Sequence, residues 1–250
     1  MLLVAGKGAD TAVREVYDKG EINWTAGFVR AKGYGFMDPK KPRGQAKLLA
    51  ERAAVVDARR NLLEILKGVH ITSETVVEDY MTQSDIVVQR VEGIVKGARV
   101  IGKPKYYKDG RVEVVVEVSL DTLAKEMGPG KHPKRPPDKD VEPAKDVQGV
   151  IIKTPEGAKA CLYPRIVDDK GNVLLDFSEY PEVKNAWSKA VKFVKGKVSQ
   201  NEAGQIVIEA AEAKGCDIVV KRDQREKLEK VKKVARFLFK AGKFIINLVM

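Results

Sequence analysis

A proline-rich segment near the middle of the 250-residue chain, MGPGKHPKRPPDKDVEPAKDV at positions 127–147, limits the folds open to it. The segment holds five of the 11 prolines, with charged residues in the gaps and no apolar periodicity. Proline lacks a backbone N–H and interrupts helices and central strands. The segment therefore predicts an extended linker between two folded parts, and the chain is long enough for two ordinary domains.

The part before this linker predicts a polar lead over residues 1–22 and an α+β domain over residues 23–126. Leu48, Val55 and Leu62 recur every seven residues, which indicates an amphipathic helix over residues 45–67 with these side chains in the core. The same stripe includes Leu49, Val56, Leu63 and Leu66. Alternation predicts a strand over 69–80, whereas residues 85–98 suit either a helix or a bulged strand. Asp109-Gly110 predicts a hairpin over residues 99–119, whose exposed edges could pair between subunits.

The part after the linker, residues 148–250, predicts a second α+β domain. GVIIKT and AKACLYPRIV read as strands joined by a turn, and a further turn leads into VLLDF. A helix is expected over residues 182–194, and a last helix begins near Asp223 and Glu226, which resemble a capping box. The buried stripe of this last helix is expected to consist of Leu228, Val231, Ala235 and Leu238. The predicted fold class is α+β, as two small sheet-plus-helix domains joined by a Pro-rich linker.

The charge of the chain is strongly positive, at +11 with a pI of about 9.4. This charge suits nucleic acid, an anionic membrane surface or an anionic envelope polymer, and also a lysine-rich solvated surface. Aromatic residues make up only 6% of the chain, which weakens any function that needs many base-stacking rings.

The stretch RAKGYGF, with Lys32, Tyr34 and Phe36, matches the beginning of an RNA-binding strand signature. An RNA-recognition motif needs a strand and a helix before this signature, and a cold-shock barrel needs a further strand after it. The residues before Arg30 do not read as such a unit, and a long helix follows. We therefore favour a structural interpretation, in which the glycines mark bulges or close backbone approach and the two rings pack or line a sheet edge.

Catalytic and metal-binding patterns are missing from the sequence. His70 and His132 have no cysteine or serine at a recognisable spacing, and no phosphate-binding loop motif occurs. The sequence predicts no enzyme, no catalytic residues, no cofactor and no metal. Cys161 and Cys216 lack zinc-ligand spacing; they suit a disulfide in an oxidising compartment, or two buried thiols.

Charged residues near the first helix have two interpretations. Arg52, Arg59 and Arg60 lie on or beside the apolar stripe, where they could extend along the core or pair with Glu78 or Asp79. Glu74, Glu78 and Asp79 cluster near the end of the strand predicted over residues 69–80, and we interpret them as a charged edge that opposes strand addition.

Four phrases together resemble the Lpp-twenty type of bacterial lipoprotein, a family that includes flagellar proteins related to flagellar assembly proteins P and T. The phrases are AKLLAERAAVVDARRNLLEILKGVHITSETVVEDY, VEGIVKGARVIGKPKYYKDGRVEVVVEVSL, YPRIVDDKGNVL and CDIVVKRDQREKL. The resemblance runs from about Trp24 to the C-terminus. In such proteins a glycine-punctuated strand leads into the long helix, and RAKGYGF occupies that place.

The resemblance implies an exported, non-enzymatic protein, often anchored by lipid at the outer membrane, that serves in assembly. No lipobox cysteine or signal peptide precedes Glu21. The expected location is the periplasm or outer membrane if an export signal is missing from this chain, and otherwise the cytoplasm. We therefore expect a non-catalytic envelope structural or assembly protein, including a flagellar or other surface complex, with protein partners or self-association. The alternative is a single-stranded nucleic-acid-binding protein that uses Lys32, Tyr34 and Phe36.

Overall fold

The computed structural model describes residues 11–128, 147–196 and 204–249 and has an α+β fold with two sheets. This confirms the predicted α+β class. Residues 129–146, which make up most of the predicted linker, lie outside the described residues.

The first sheet is entirely antiparallel, with the strand order β1-β2-β3-β5-β4. Its strands are β1 (Arg14–Tyr17), β2 (Gly20–Asn23), β3 (Phe28–Phe36), β4 (Arg99–Tyr106) and β5 (Arg111–Ser119). β1 and all of β2 except Asn23 lie within the region interpreted as a polar lead. β4 and β5 form the predicted hairpin around Gly110, whose φ of +82° suits glycine.

The second sheet is mixed and has seven strands in the order β8-β7-β11-β10-β6-β12-β9. Its strands are β6 (Gly149–Glu156), β7 (Arg165–Val167), β8 (Val173–Asp176), β9 (Val191–Lys195), β10 (Gln205–Lys214), β11 (Asp217–Val220) and β12 (Phe244–Val249). β6 pairs in parallel with both β10 and β12. Of the strand predicted over residues 158–167, only Arg165–Val167 is a strand, and this β7 pairs with β11 and β8.

Seven α-helices and two short 3₁₀ helices accompany the sheets within the described residues. The α-helices are α1 (Arg43–Lys67), α2 (Val77–Gln83), α3 (Asp85–Lys96), α4 (Leu120–Met127), α5 (Pro181–Asn185), α6 (Trp187–Ala190) and α7 (Arg225–Ala241); the 3₁₀ helices are Phe177–Glu179 and Arg222–Gln224.

The packing of α1 on β3 explains the glycines of RAKGYGF. A Cβ atom added to Gly33 would overlap the backbone of Ala54 and Ala58, and one added to Gly35 would overlap the backbone of Ala50. Small residues on both elements let the helix and strand backbones approach more closely than larger side chains would allow. The glycines are therefore required by the helix–sheet contact.

Two polar side chains of α1 reach the backbone of β3 because the two elements are so close. The amide of Asn61 donates to the carbonyl of Lys32 at 2.8 Å, and the carboxylate of Asp57 accepts from the N–H of Tyr34 at 2.9 Å. β2 pairs with β3 only as far as Ala31. Asp57 and Asn61 thus satisfy backbone groups that lack a neighbouring strand.

The predicted core face of α1 is wrong over its first turns. Leu48 is 50% exposed and Val56 is 60% exposed, whereas the helix buries Ala46, Ala50, Ala54 and Ala58. Leu62 and Leu66 are buried, as predicted. Because the glycines of β3 accept only small side chains, the alanine stripe faces the sheet and the larger residues turn away.

The strand predicted over residues 69–80 is also wrong. His70 and Val76 form only an isolated bridge, and the chain then enters α2. Asp79 accepts a hydrogen bond from the N–H of Val76 at 2.7 Å, so it caps this helix rather than guarding a strand edge. Residues 85–96 are helical, as α3.

In the C-terminal half, the helix predicted over residues 182–194 is divided. α5 and α6 are short, and Val191 and Val194 belong to β9. The stripe predicted for α7 is confirmed, because Leu228, Val231, Ala235 and Leu238 are all buried. Asp223 and Glu226 do not form the expected capping box, since the helix begins after Gln224 without a side-chain cap.

The two halves of the chain share one hydrophobic core. Trp24 lies 5.9 Å from Trp187 and 6.1 Å from Phe193, measured between ring centroids, and Trp24 and Trp187 are buried. Asp121 accepts hydrogen bonds from both the backbone N–H and the hydroxyl of Ser188 at 2.7 Å. A single cluster of buried residues extends from Val13 to Leu248. The sheets therefore stabilise each other, beyond any connection through residues 129–146.

Gly33→Ala tests the close contact between α1 and β3. We expect it to lower the free energy of unfolding by about 1–3 kcal/mol or more, because the new methyl group meets backbone rather than a flexible side chain. The control is Gly93→Ala in α3, where an added Cβ has no atom within 4 Å; removing a helix glycine should stabilise by about 0.5–1 kcal/mol. Urea unfolding measures both, and a Gly33→Ala variant as stable as the native chain would contradict the packing.

Candidate functional site

Lys32, Tyr34 and Phe36 lie together on the face of the first sheet opposite α1, which we call the open face. Their side chains alternate with the buried glycines, and their cross-strand neighbours on β5 are Val115, Glu113 and Arg111. β3 lies between β2 and β5 in the strand order, but its pairing with β2 ends at Ala31, so residues 32–36 have no strand neighbour on that side. The structure thus brings the three predicted residues to one surface.

The aromatic rings of the open face are partly covered by arginines of the same chain. The guanidinium of Arg30 lies 3.8 Å from the ring centroid of Phe28. That of Arg111 lies 4.3 Å from the ring of Tyr107 and 5.1 Å from the ring of Tyr34. Phe36, by contrast, is 68% exposed. A base that stacked on Tyr34 would have to displace Arg111, whereas Phe36 is accessible.

Carboxylates neutralise much of the positive charge on the open face. Glu117 lies 2.7 Å from Arg30 and 3.4 Å from Arg99. Glu113 lies 3.4 Å from Lys105 and accepts a hydrogen bond from the hydroxyl of Tyr107 at 2.9 Å. The face is therefore a network of ion pairs, unlike the continuous basic surface that usually follows a phosphate backbone.

Opposing effects set the pKa of Glu113. Burial raises it, but the hydrogen bonds from Tyr107 and Lys105 favour the charged form, and the net result is a pKa below 4.5. The same hydrogen bond raises the pKa of Tyr107, because it stabilises the protonated phenol. The carboxylate is thus an ionised structural member of the open face at neutral pH.

A second surface is an apolar groove between α1 and β4, which sequence reasoning missed. α1 packs on β3 and β5 and leaves the edge strand β4 uncovered on that side. The groove has a volume of about 410 Å³. It is lined by Leu48, Glu51, Arg52, Val55, Val56, Arg59, Val100, Pro104 and Val114. The signal for it was the alanine stripe of α1, which implies that the leucines and valines face elsewhere.

The groove exposes aliphatic side chains that would normally be buried. Val56 and Leu48 project from α1, and Val100 of β4 is 47% exposed. At one end the hydroxyl of Tyr106 donates to Glu51, and the ammonium of Lys47 lies 4.5 Å from the Tyr106 ring centroid. The lining of the groove is therefore predominantly apolar.

Two arginines border the groove without ion-pair partners among the described residues. Arg52 is exposed, and the Nε atom of Arg59 is buried with no hydrogen-bond acceptor in the described parts of the chain. Among the described residues, neither arginine forms the hypothesised ion pair with Glu78 or Asp79. The two guanidinium groups therefore leave positive charge at the border of the groove that no ion pair of the described residues offsets.

Cys161 and Cys216 form a disulfide with a Cα–Cα distance of 6.0 Å. Both residues are buried. Cys161 precedes β7, and Cys216 lies in the turn between β10 and β11. The pair is reinforced nearby by Arg165, whose Nε donates to Asp217 at 2.9 Å and whose terminal nitrogen donates to Ser73 at 3.1 Å.

The described parts of the chain contain no candidate metal site and no helix that could cross a membrane. Across residues 11–128, 147–196 and 204–249, no group of three or more His, Cys, Asp and Glu side chains could hold a metal ion. In the same ranges, every helix is too short or too polar to cross a bilayer. His70 lies in the bridge that precedes α2, and His132 is outside the described residues.

Comparison with known proteins adds no family to these observations. No protein-family model matches the sequence, and no curated protein matches it at a significant level.

Glu113→Gln tests the ion-pair network of the open face. Because the folded-state pKa of Glu113 is lowered, its charge stabilises the fold above the unfolded-state pKa, and this stability is lost as the pH falls. We expect a loss of about 1 kcal/mol at pH 7, the typical excess of a charged over a neutral hydrogen bond. The loss should shrink below pH 4.5. Urea unfolding across pH measures it, with the exposed Glu92→Gln as control; a pH-independent loss would contradict the role.

Proposed function

We propose that this protein is a non-catalytic assembly component of an oxidising cell-envelope compartment, where it contacts other proteins of a surface complex. The observation that carries the proposal is the apolar groove between α1 and β4. Leu48, Val56 and Val100 expose aliphatic surface around it, and burial of such surface drives most protein association.

The disulfide supports the envelope location. Disulfides form and persist in oxidising compartments such as the periplasm and are rare in the reducing cytosol. The two cysteines are 55 residues apart in sequence, so closing this loop reduces the entropy of the unfolded chain and stabilises by about 4 kcal/mol in the chain-entropy account. The resemblance to Lpp-twenty type lipoproteins and flagellar assembly proteins agrees with this location.

The shared core suits a scaffold. Trp24, Trp187 and Phe193 join the two sheets through buried aromatic contacts. A body held together in this way presents its surfaces in fixed relative positions, which reduces the conformational entropy lost when several partners bind.

Thiol alkylation in the native cells tests the compartment. Cells are quenched in acid, fractionated and treated with iodoacetamide before and after reduction, and the intact mass is measured. We expect the protein in the envelope fraction with two alkyl groups added only after reduction, because Cys161 and Cys216 are bonded. The Cys161→Ser variant, with one free thiol, is the control for reagent access. Soluble cytosolic protein with two alkyl groups before reduction would overturn the envelope location.

The alternative function is binding of single-stranded nucleic acid through the open face. The observation in its favour is that Phe36 is largely exposed on the same face as Lys32 and Tyr34. Its weakness is the pairing of the basic groups there with Glu113 and Glu117.

Fluorescence anisotropy with a labelled 20-nucleotide RNA tests this alternative. It predicts affinity that falls steeply as salt rises, because phosphate contacts release counterions. It also predicts a loss of about 1–3 kcal/mol per stacked base when Tyr34 and Phe36 are both replaced by alanine. Val56→Asp in the groove is the matched control and should bind RNA like the native chain. Binding that survives the double substitution would exclude stacking at these rings.

A further inference from the structure

We propose that the groove between α1 and β4 binds an amphipathic, acidic α-helix of a partner protein, which lies beside α1 over the uncovered face of β4. This inference rests on the proposed assembly function and specifies the chemistry of the partner.

The dimensions of the groove suit a helix. Helices pack about 8–10 Å apart, and strands lie about 4.8 Å apart, so one helix covers about two strands. α1 covers β3 and β5, and the next helix position in that layer is therefore over β4. The groove residues of α1 run from Leu48 to Arg59, which is about 16 Å or three helical turns. A partner helix of three to four turns would fill this length.

Addition of a partner strand to β4 is less suitable. The register of β4 shifts between Ile101 and Lys105. Gly102 has a φ of +70°, and Pro104 supplies no N–H to a neighbouring strand. Bulges and prolines of this kind protect edge strands from pairing. The other strand of the hairpin, β5, already has neighbours on both sides.

The charges of the groove specify an acidic partner. Arg52 and Arg59 are two turns apart on α1, a separation of about 10 Å, and neither has an ion-pair partner among the described residues. The nearby Glu51 already accepts a hydrogen bond from Tyr106. Two carboxylates spaced two turns apart on the incoming helix would meet the guanidinium groups of both arginines.

The same charges argue against a second copy of this chain as the occupant. A two-fold interface places the same surface on both sides, so the arginines of one copy would approach those of the other. Each chain also carries a net charge of +11, which opposes association without acidic groups between the copies. A separate acidic partner removes both problems.

Peptide selection against the full chain tests the proposal. The probe is a phage-displayed library of random 18-residue peptides, and the enriched peptides are synthesised for affinity measurement. We expect apolar residues at helical spacing together with at least two Asp or Glu. Replacing those acids with Lys should weaken binding at least tenfold, because close charge pairs at interfaces are strongly coupled.

Three variants locate the binding site. Val56→Asp and Arg59→Gln should each weaken the selected peptides at least tenfold, and Phe36→Ala on the open face should leave them unchanged. Val56 is 60% exposed, so its substitution should leave the circular dichroism spectrum and the unfolding midpoint unaltered. Failure to enrich any peptide whose binding depends on Val56, or enrichment of basic peptides, would overturn the proposal.

Sedimentation equilibrium tests whether a second copy of the chain occupies the groove. A dimer that forms at micromolar concentration and disappears in Val56→Asp would assign the groove to a second copy and overturn the acidic partner. The proposed function would fail on a separate result, namely a cytosolic protein in which Cys161 and Cys216 are reduced. Peptide binding in that case would leave the groove assignment standing without an envelope role.

Discussion

The contact between the alanine stripe of α1 and the glycines of β3 determines both the open face and the groove between α1 and β4. Gly33 and Gly35 leave no room for a side chain against the helix backbone, so α1 must present alanines to the sheet. This fixes the rotation of α1 about its axis and turns Leu48 and Val56 toward the groove beside β4. Strand alternation places Tyr34 and Phe36 on the open face. The likeness to an RNA-binding strand and the exposed apolar groove therefore have one cause.

The structure also depends on the hydrophobic core that joins the two halves of the chain. Trp24 enters that core from the first sheet, while Trp187 and Phe193 enter from the second. A proline-rich segment predicts an extended spacer between two parts of the chain, because its composition determines only its own stiffness. That composition gives no information on whether the two parts pack together. Burial of large aromatic rings contributes several kilocalories per mole, which is why two sheets distant in sequence pack together. Partners bound at the groove would thus be held by a body that includes both sheets.

The parts of the fold that the sequence predicted correctly depend on local signals. The hairpin around Asp109-Gly110 follows from turn chemistry, and the buried stripe of α7 follows from helical spacing. The face of α1 could not be predicted in this way, because alanine is a weak hydrophobic signal and its role depends on glycines in another element. The same reason applies to Val191 and Val194. They have helical spacing but lie in β9, because this segment pairs with β12. The groove was missed because its valines had been assigned to the core.

Net charge is a poor guide to function here unless the partners of each charge are known. On the open face, Arg30, Arg99 and Lys105 already have carboxylates within 3.4 Å, and a nucleic acid would have to compete with them. In the groove, Arg52 and Arg59 have no ion-pair partner among the described residues, so an acidic partner there would displace no carboxylate. The electrostatics of this basic chain therefore favour the groove, the less basic of its two surfaces, as the place where a partner binds.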